Sequence, residues 1–197
     1  ENYQVIQTED VLNRWCNKIF KQKVFAIDTE TTSLDTLSAE LVGVSICIGS
    51  GKACYIPVAH QTDQPEYQAL EKKQLDRDIV LRRLQPLLTD KSILKIGHNI
   101  KYDIKVLDKY KCYVNSFDDT MLMSHCINGG QQRHSLDSIA KDLLNHETIK
   151  LKDLIGSGKK ELNFKNVPIS LAANYAAEDA DMTFRVWKVL KPTGMSG

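Results

Sequence analysis

The sequence contains no run of about 18 uncharged apolar residues, which is the length that a membrane-spanning helix requires. The first residues, from Glu1 onward, show neither the basic nor the apolar segment of a secretory signal peptide. The five cysteines are odd in number and widely spaced, and they form no C-x-x-C pair, which argues against a disulfide framework and against a zinc knuckle. We therefore expect reduced thiols, no membrane association and a cytoplasmic location.

The 197 residues are enough for about one domain, and 42% apolar with 26% charged residues is typical of a globular protein. The net charge of +1 is unevenly distributed, since residues 1–90 carry 10 basic and 13 acidic side chains and residues 91–197 carry 16 and 12. This mild basic excess permits a nucleic-acid-binding face without requiring one. We expect one domain over residues 1–191, a disordered tail over 192–197, and a monomer that forms part of a longer protein.

Apolar periodicity predicts an α/β domain with a mixed sheet. Strand patterns cover residues 3–6, 24–28, 41–48, 53–58 and 93–97. Helical patterns cover residues 8–20, 76–88, 99–110, 120–127, 135–144 and 170–190, whereas the polar residues 65–73 indicate a loop. Turn residues 49–52 predict antiparallel pairing in the first half, and the strand that leads directly into a helix at residue 97 predicts parallel pairing. The expected sheet has five to six strands, with three antiparallel strands followed by parallel ones, and helices flank it.

Two carboxylates end the second predicted strand. Asp28 and Glu30 are two residues apart and therefore share one face of the strand. Like charges held side by side favour a shared cation or a raised pKa. Taken alone, the pair is better explained by a solvated strand end.

Two further carboxylates follow at element boundaries or on a helix. Asn99 suits a helix N-cap and Asp103 then falls in the first turn, which is a structural explanation for both residues. Tyr175 and Asp179 are four residues apart and therefore share one helix face. A stabilising hydrogen bond on the protein surface would be a sufficient structural explanation for this pair. The neighbouring acids Glu178 and Asp181 are expected to point elsewhere, into solvent.

The ordered set D-x-E, N-x-x-x-D and Y-x-x-x-D favours a shared metal site over these separate explanations. Carboxylates that converge in one site destabilise a fold unless divalent cations neutralise them. Oxygen ligands without His or Cys select Mg²⁺ or Mn²⁺ over zinc. In-line phosphoryl transfer, as in nucleases and polymerases, uses two such ions about 3.5 to 4 Å apart.

The motifs resemble those of the DEDD 3′–5′ exonucleases of the subclass with tyrosine, which have an RNase H-like fold. The wider match is similar to the proofreading domain of bacterial DNA polymerase I and covers nearly the whole chain. It comprises FAIDTETTSLD, LVGVSICI, YIPVAH, NIKYD, DTML, RHSLDSIA and NYAAEDADMT. The polymerase palm, fingers and thumb have no counterpart in the sequence.

The resemblance implies a role for each matching residue. Asp28 would bridge two metal ions, Mg²⁺ or Mn²⁺, Glu30 and Asp179 would complete the first site, Asp103 would hold the second ion, and Tyr175 would orient the attacking water. The resemblance also implies DNA contacts by Thr31, Leu34, His98, Asn99 and Arg133. The chain departs from the family pattern at His98, where glutamine is common, and near Leu151, where an aromatic residue is common.

The implied function is a two-metal 3′–5′ exonuclease that releases nucleoside 5′-monophosphates from single-stranded or frayed DNA 3′ ends. Its context would be proofreading for a covalently attached family A polymerase. One alternative is an RNase D-like exonuclease that trims RNA with the same carboxylates. A second alternative is a structural or single-strand-binding module with vestigial activity.

Overall fold

The structure, a computed structural model, describes residues 3–128 and 135–194. Within these ranges the chain forms one mixed sheet of six strands in the order β1-β4-β3-β2-β5-β6. The strands are β1 (Gln4–Val5), β2 (Val24–Thr31), β3 (Leu41–Gly49), β4 (Lys52–Pro57), β5 (Leu94–Gly97) and β6 (Phe117–Asp119). β2, β3 and β4 pair antiparallel, whereas β5 pairs parallel with β2, and β6 pairs parallel with β5. The predicted mixed sheet, with antiparallel strands followed by parallel ones, is confirmed.

Helices cover both faces of the sheet. They are α1 (Glu9–Gln22), α2 (Gln68–Glu71), α3 (Arg77–Thr89), α4 (Ile100–Asp108), α5 (Thr120–Asn128), α6 (Leu136–Leu144), α7 (Leu151–Ile155) and α8 (Ile169–Gly194). Three short 3₁₀ turns lie at Pro65–Tyr67, Gly158–Lys160 and Phe164–Asn166. None of the helices in the described ranges is long and apolar enough to cross a membrane.

Side-chain caps explain why three helices begin where the sequence predicts. Thr8 accepts a hydrogen bond from the N–H of Val11 at 3.3 Å and so caps α1. Asp76 accepts the N–H of Asp78 at 2.9 Å at the start of α3, and Ser135 caps α6 in the same way. Each cap satisfies a backbone donor that the first helical turn leaves unpaired.

One face of the sheet packs against α1, α3 and α4. Leu12 and Ile19 of α1, Leu84 of α3 and Val106 of α4 join the buried strand residue Phe25 in one apolar cluster. The burial of this cluster is the main stabilising contribution on that side, because each fully buried aliphatic side chain contributes about 1.5 to 3 kcal/mol.

The opposite face packs against α8. Ala177 and Ala180 lie in a buried cluster with Ala26 of β2 and Ile96 of β5. Alanine side chains let the helix axis approach the strands closely. This close approach brings α8 against the middle of β2.

Some elements differ from the sequence-based expectation. The polar segment predicted as a loop contains the helix α2, and neither β6 nor α7 was predicted. β6 has only three residues, too few to show a period of two. α8 continues to Gly194, four residues past the helix end predicted at residue 190, and residues 195–197 lie outside the described ranges.

Candidate active site

Asp28 and Glu30 lie inside β2 and not at its end. β2 continues to Thr31, three residues beyond the predicted end, and places Asp28 opposite Ser45 and Glu30 opposite Gly43 of β3. Because side chains alternate along a strand, both carboxylates project from the same face. A central strand that is paired over this length holds them on the sheet itself and not on a loop.

Asp179 reaches the same place from α8. One carboxylate oxygen from each of Asp28, Glu30 and Asp179 lies within 4.8 Å of the other two. Tyr175, one helical turn before Asp179, lines the same cavity. The structure therefore brings together the D-x-E and Y-x-x-x-D motifs, which are separated by about 145 positions in the sequence.

Asp103 approaches from α4 and is held by β2. Its Oδ1 accepts the backbone N–H of Thr29 at 3.0 Å and also accepts the Thr29 hydroxyl. Asp103 is 2% exposed and lines the cavity with the other three carboxylates, although it is not part of the group of three.

The carboxyl groups have strongly shifted protonation equilibria in the metal-free protein. Burial raises the pKa of Asp28 from 3.8 to about 6, against the effect of a hydrogen bond with Glu30. Burial, and then the negative charges of Asp28 and Asp179, raise the pKa of Glu30 well above its ordinary value. Burial followed by the Asp28 charge raises the pKa of Asp103 and of Asp179 in the same direction. All four groups therefore resist full ionisation together.

The donor chemistry of the cluster fits a hard divalent cation. Asp28, Glu30 and Asp179 offer only oxygen ligands, which suit Mg²⁺ or Mn²⁺ better than zinc. A bound cation would lower these raised pKa values, because an adjacent positive charge favours ionised carboxylates. The cluster can therefore hold such an ion.

Around the carboxylates lies an open cavity of about 540 Å³. Four of the five residues predicted to contact DNA line it, namely Thr31, Leu34, His98 and Asn99. Leu34 is 92% exposed at the cavity wall, so its apolar side chain is available to a ligand. The fifth predicted residue, Arg133, lies outside the described residues.

Asn99 does not cap α4 with its side chain, and the predicted side-chain cap is wrong. Its backbone is left-handed, with φ 57° and ψ 50°, and its side chain makes no capping hydrogen bond. Asparagine tolerates this conformation better than most residues other than glycine. The asparagine here supports a turn and presents its side chain to the cavity.

Tyr175 is packed against an aromatic residue that sequence reasoning missed. The ring centroids of Tyr175 and Phe164 are 6.1 Å apart, and Phe164 in turn contacts the ring of His60 at 5.9 Å. Burial, with the charge of Asp179 next, raises the pKa of the Tyr175 hydroxyl. Tyr175 is therefore a neutral hydroxyl at neutral pH.

Other cavity residues also escaped the sequence analysis. Tyr102 belongs to the NIKYD motif, and its hydroxyl donates to the carbonyl of Ser33 at 2.7 Å. Leu162 and Asn163 also line the cavity, as does Leu151, the position already noted as a departure from the family pattern. The resemblance could have pointed to Tyr102, whereas the other two carry no local signal.

Glu178 and Asp181 are buried, so the expectation that they are solvated is wrong. Glu178 accepts the N–H of Ile149 at 2.7 Å. Asp181 is fully buried and accepts from the hydroxyl of Tyr3 at 2.7 Å and from the N–H of Gly51 at 2.8 Å. Because α8 packs against the sheet on one side and against α5 and α6 on others, more than one of its faces is buried.

The sequence of the chain is similar to 3′–5′ exonuclease domains and to DNA polymerase I over nearly its whole length. A family model described as a 3′–5′ exonuclease matches residues 3–194. DNA polymerase I of Rhizobium leguminosarum is 40% identical over 201 residues, an alignment that covers 96% of this chain and 20% of the relative. The chain thus spans about a fifth of the length of the curated relatives that it matches.

Solved structures share the fold. Brucella melitensis NrnC with bound Mg²⁺ is 26% identical, with a TM-score of 0.59 over 86% of this chain and 72% of that chain. Escherichia coli RNase D, an exoribonuclease involved in structured RNA processing, is 19% identical, with a TM-score of 0.67 over 98% of this chain and 45% of that chain. The likeness to RNase D shows the fold alone. The six-stranded mixed sheet with its flanking helices is the RNase H-like exonuclease fold.

Proposed function

The chain belongs to the 3′–5′ exonuclease family of DNA polymerase I, and on that premise we propose that it proofreads DNA by releasing nucleoside 5′-monophosphates from single-stranded or frayed 3′ ends. The observation that carries this proposal is the convergence of Asp28, Glu30 and Asp179 within 4.8 Å beside Tyr175. Three carboxylates this close together repel one another beside an open cavity, and a bound cation is the usual relief of such repulsion. Their use is to hold cations at a phosphate.

We assign Asp28, Glu30 and Asp179 to a first divalent ion and Asp28 with Asp103 to a second, in both cases Mg²⁺ or Mn²⁺. When bound, the ions lower the pKa of water and neutralise the charge that develops on the scissile phosphate. The magnesium bound to Brucella NrnC supports the choice of ion. This division of ligands follows the family motifs that the chain matches at each position.

The residues of the chain itself orient the reactants. The Tyr175 hydroxyl, held neutral by its raised pKa, orients the attacking water and takes no proton from it. Leu34 packs against the terminal base from the cavity wall, since an apolar side chain 92% exposed gains by covering a base. Thr31, His98 and Asn99 contact the terminal nucleotide, and we keep Arg133 as a contact on the basis of the sequence alone.

The substrate is DNA whose 3′ end is free of its partner strand. Asp28, Glu30 and Asp179 are half-buried and Asp103 is buried in the cavity wall, so we infer that a terminal nucleotide must leave the duplex to reach them. Unpairing costs a few kcal/mol and is cheapest at a mismatch, which is the basis of proofreading. The rest of the relatives' length is consistent with a covalently attached polymerase, and we propose that the domain, residues 1–191, works in that context.

The test is digestion of single-stranded, mismatched and blunt DNA oligonucleotides labelled at either end, with a matched RNA strand. We expect mononucleotides to appear from the 3′ end in Mg²⁺ or Mn²⁺, fastest from single strands and mismatches, and no release in chelator. Release from the 5′ end, or faster digestion of blunt duplex, would contradict the proposal. Faster digestion of RNA would favour the RNase D-like alternative, and binding without release even in Mn²⁺ would favour a vestigial module.

A further inference from the structure

Two consecutive buried residues outside the cavity hold the turn that carries His98 and Asn99. Asp119 ends β6 and Thr120 begins α5, and their exposed fractions are 7% and 0%. Neither is among the described residues that line the cavity. Both belong to the DTML motif, to which the proposed chemistry assigns no role.

Asp119 fixes the backbone of Asn99. Its Oδ1 accepts the N–H of Asn99 at 2.8 Å and the N–H of Met121 at 2.9 Å. One carboxylate oxygen therefore joins the β5–α4 turn to the first turn of α5. The joined turn is the place where the backbone of Asn99 is left-handed. Such conformations persist when the surrounding structure determines them, and they cluster at functional sites.

Thr120 fixes the ring of His98. The Thr120 hydroxyl donates to the carbonyl of Gly97 at 3.2 Å. The same hydroxyl lies 2.8 Å from Nδ1 of His98, and this hydrogen-bond contact fixes the orientation of the imidazole ring.

The turn has little room to relax if these bonds are lost. A Cβ at Gly97 would lie 2.7 Å from the Cβ of Ile100, so the end of β5 and the start of α4 are already in close contact. On the other side, Asp118 accepts from the indole N–H of Trp187 at 2.7 Å, which ties β6 to α8. β6 thus links the turn to the helix that carries Tyr175.

We propose that Asp119 and Thr120 are positioning residues that hold Asn99 and His98 against the terminal nucleotide. This proposal rests on the proposed function, since it requires these two residues to contact the substrate. The two act through the turn alone and touch neither substrate nor metal.

The experiment pairs a disruptive with a conservative variant at each position. Asp119→Ala removes the shared acceptor, whereas Asp119→Asn keeps an oxygen at Oδ1 for both N–H groups. Thr120→Val removes the hydroxyl, whereas Thr120→Ser keeps it. We expect Asp119→Ala to raise KM for single-stranded DNA about tenfold and Thr120→Val severalfold, with kcat little changed, because ground-state contacts are lost. Asn and Ser should restore values near wild type.

A double-mutant cycle separates positioning from a general loss of structure. Asn99→Gly removes the side chain and keeps the left-handed backbone, which glycine adopts without strain. In that background Asp119→Ala should have little further effect on KM. Asn115→Ala, which removes the 2.9 Å side-chain hydrogen bond to the Thr89 carbonyl before the start of β6, is the control; it should leave KM unchanged.

A wild-type KM for Asp119→Ala would overturn the proposal. So would a double variant whose increase in KM equals the product of the increases in the Asp119→Ala and Asn99→Gly single variants. If Asp119→Ala does not fold, the Thr120→Val and Thr120→Ser pair decides it by the same KM comparison. An inactive wild-type chain would instead contradict the proposed function. The same cycle would then be measured as the Kd of a fluorescent DNA oligonucleotide, where independent effects would equally overturn the positioning role.

Discussion

Asp103 accepts two hydrogen bonds from Thr29, a residue 74 positions earlier in the chain, one from its backbone N–H at 3.0 Å and one from its hydroxyl. β5 ends at Gly97, whereas its neighbour β2 continues to Thr31. The N–H of Thr29 therefore has no partner on β5, and the Asp103 carboxylate from α4 accepts it instead. The strand that carries Asp28 and Glu30 thereby sets the position of Asp103 as well.

This relationship makes Thr29 a test of how closely Asp103 must be placed. Thr29→Val keeps the branched shape and the backbone donor but loses the hydroxyl. We expect kcat to fall about tenfold, since small misplacements of a functional group carry large rate costs, with KM nearly unchanged. Thr29→Ser, which keeps a hydroxyl, serves as the control. Equal rates for the Val and Ser variants would show that the backbone N–H alone positions Asp103.

Replacing Asp28 or Asp179 with Ala should abolish cleavage, because each change removes a ligand from the three-carboxylate cluster. We expect the rate to fall by more than about 10²-fold. DNA binding should survive or improve, since repulsion of phosphate decreases. The exposed Asp108, on the same helix as Asp103, provides the control in an Asp108→Ala variant. A cluster variant that kept more than about a tenth of the wild-type rate would contradict the metal assignment.

Tyr175→Phe should lower turnover by less than loss of a carboxylate and leave substrate affinity nearly unchanged. The ring still packs against Phe164, so only the hydroxyl beside Asp179 is lost. Single-turnover rates and oligonucleotide binding separate the two effects. An unchanged single-turnover rate would mean that Tyr175 is a packing residue.

In chelator, the free energy of unfolding should fall as the pH rises from about 4 through 6 and beyond. Burial raises the pKa of Asp28 from 3.8 to about 6 and raises those of Glu30, Asp103 and Asp179 as well. The folded protein therefore binds more protons than the unfolded chain in this range, and that stabilisation is lost as these groups ionise.

Chemical denaturation at several pH values, with and without Mg²⁺, checks this prediction. Saturating Mg²⁺ should flatten or reverse the slope, because bound cation stabilises the ionised carboxylates. The double variant Asp28→Asn with Glu30→Gln should lose much of the slope in chelator. A metal-free stability that increases over the same pH range would contradict the prediction.

Asp181→Ala should destabilise the domain by about 3 kcal/mol, since the hydrogen bonds and the ion pair of a buried carboxylate are lost together. The partners are the hydroxyl of Tyr3, the N–H of Gly51 and the guanidinium of Arg185, at 2.7 Å, 2.8 Å and 2.9 Å. Activity per folded molecule should stay near wild type. Denaturant unfolding measures the loss, with the exposed Asp142→Ala as control. A large fall in kcat without loss of stability would give Asp181 a functional role.

Most of the fold could be predicted from the sequence because its long elements have clear periods. The caps at Thr8, Asp76 and Ser135 give the helix starts to within a residue. β6 could not be found, since three residues define no period. The parallel pairing of β1 with β4 could not be found either, because it depends on where the intervening chain places both strands.

The residues of the candidate site could be predicted from the sequence, whereas the contacts of the residues around the site could not. The four carboxylates and Tyr175 follow from ordered motifs, and the structure brings them to one cavity. The burial of Glu178 and Asp181 was mispredicted because a helix enclosed on several sides has no single solvent face. The backbone N–H of the left-handed Asn99 donates to Asp119, twenty residues away, and no local pattern encodes that contact.

β2 is paired with β3 on one side and with β5 on the other, and Asp28 and Glu30 lie within it. Amides of such a central strand exchange with deuterated solvent only when the whole domain unfolds, whereas exposed loops exchange through local openings. Hydrogen exchange should therefore report the protection of β2 at the full free energy of unfolding. Added Mg²⁺ should slow amide exchange in β2 as much as in the rest of the core, and it should leave exchange in the exposed loop around Leu34 almost unchanged. A bound ion can then dissociate while the sheet stays closed. The arrangement of the carboxylates on β2 is lost only when the domain unfolds.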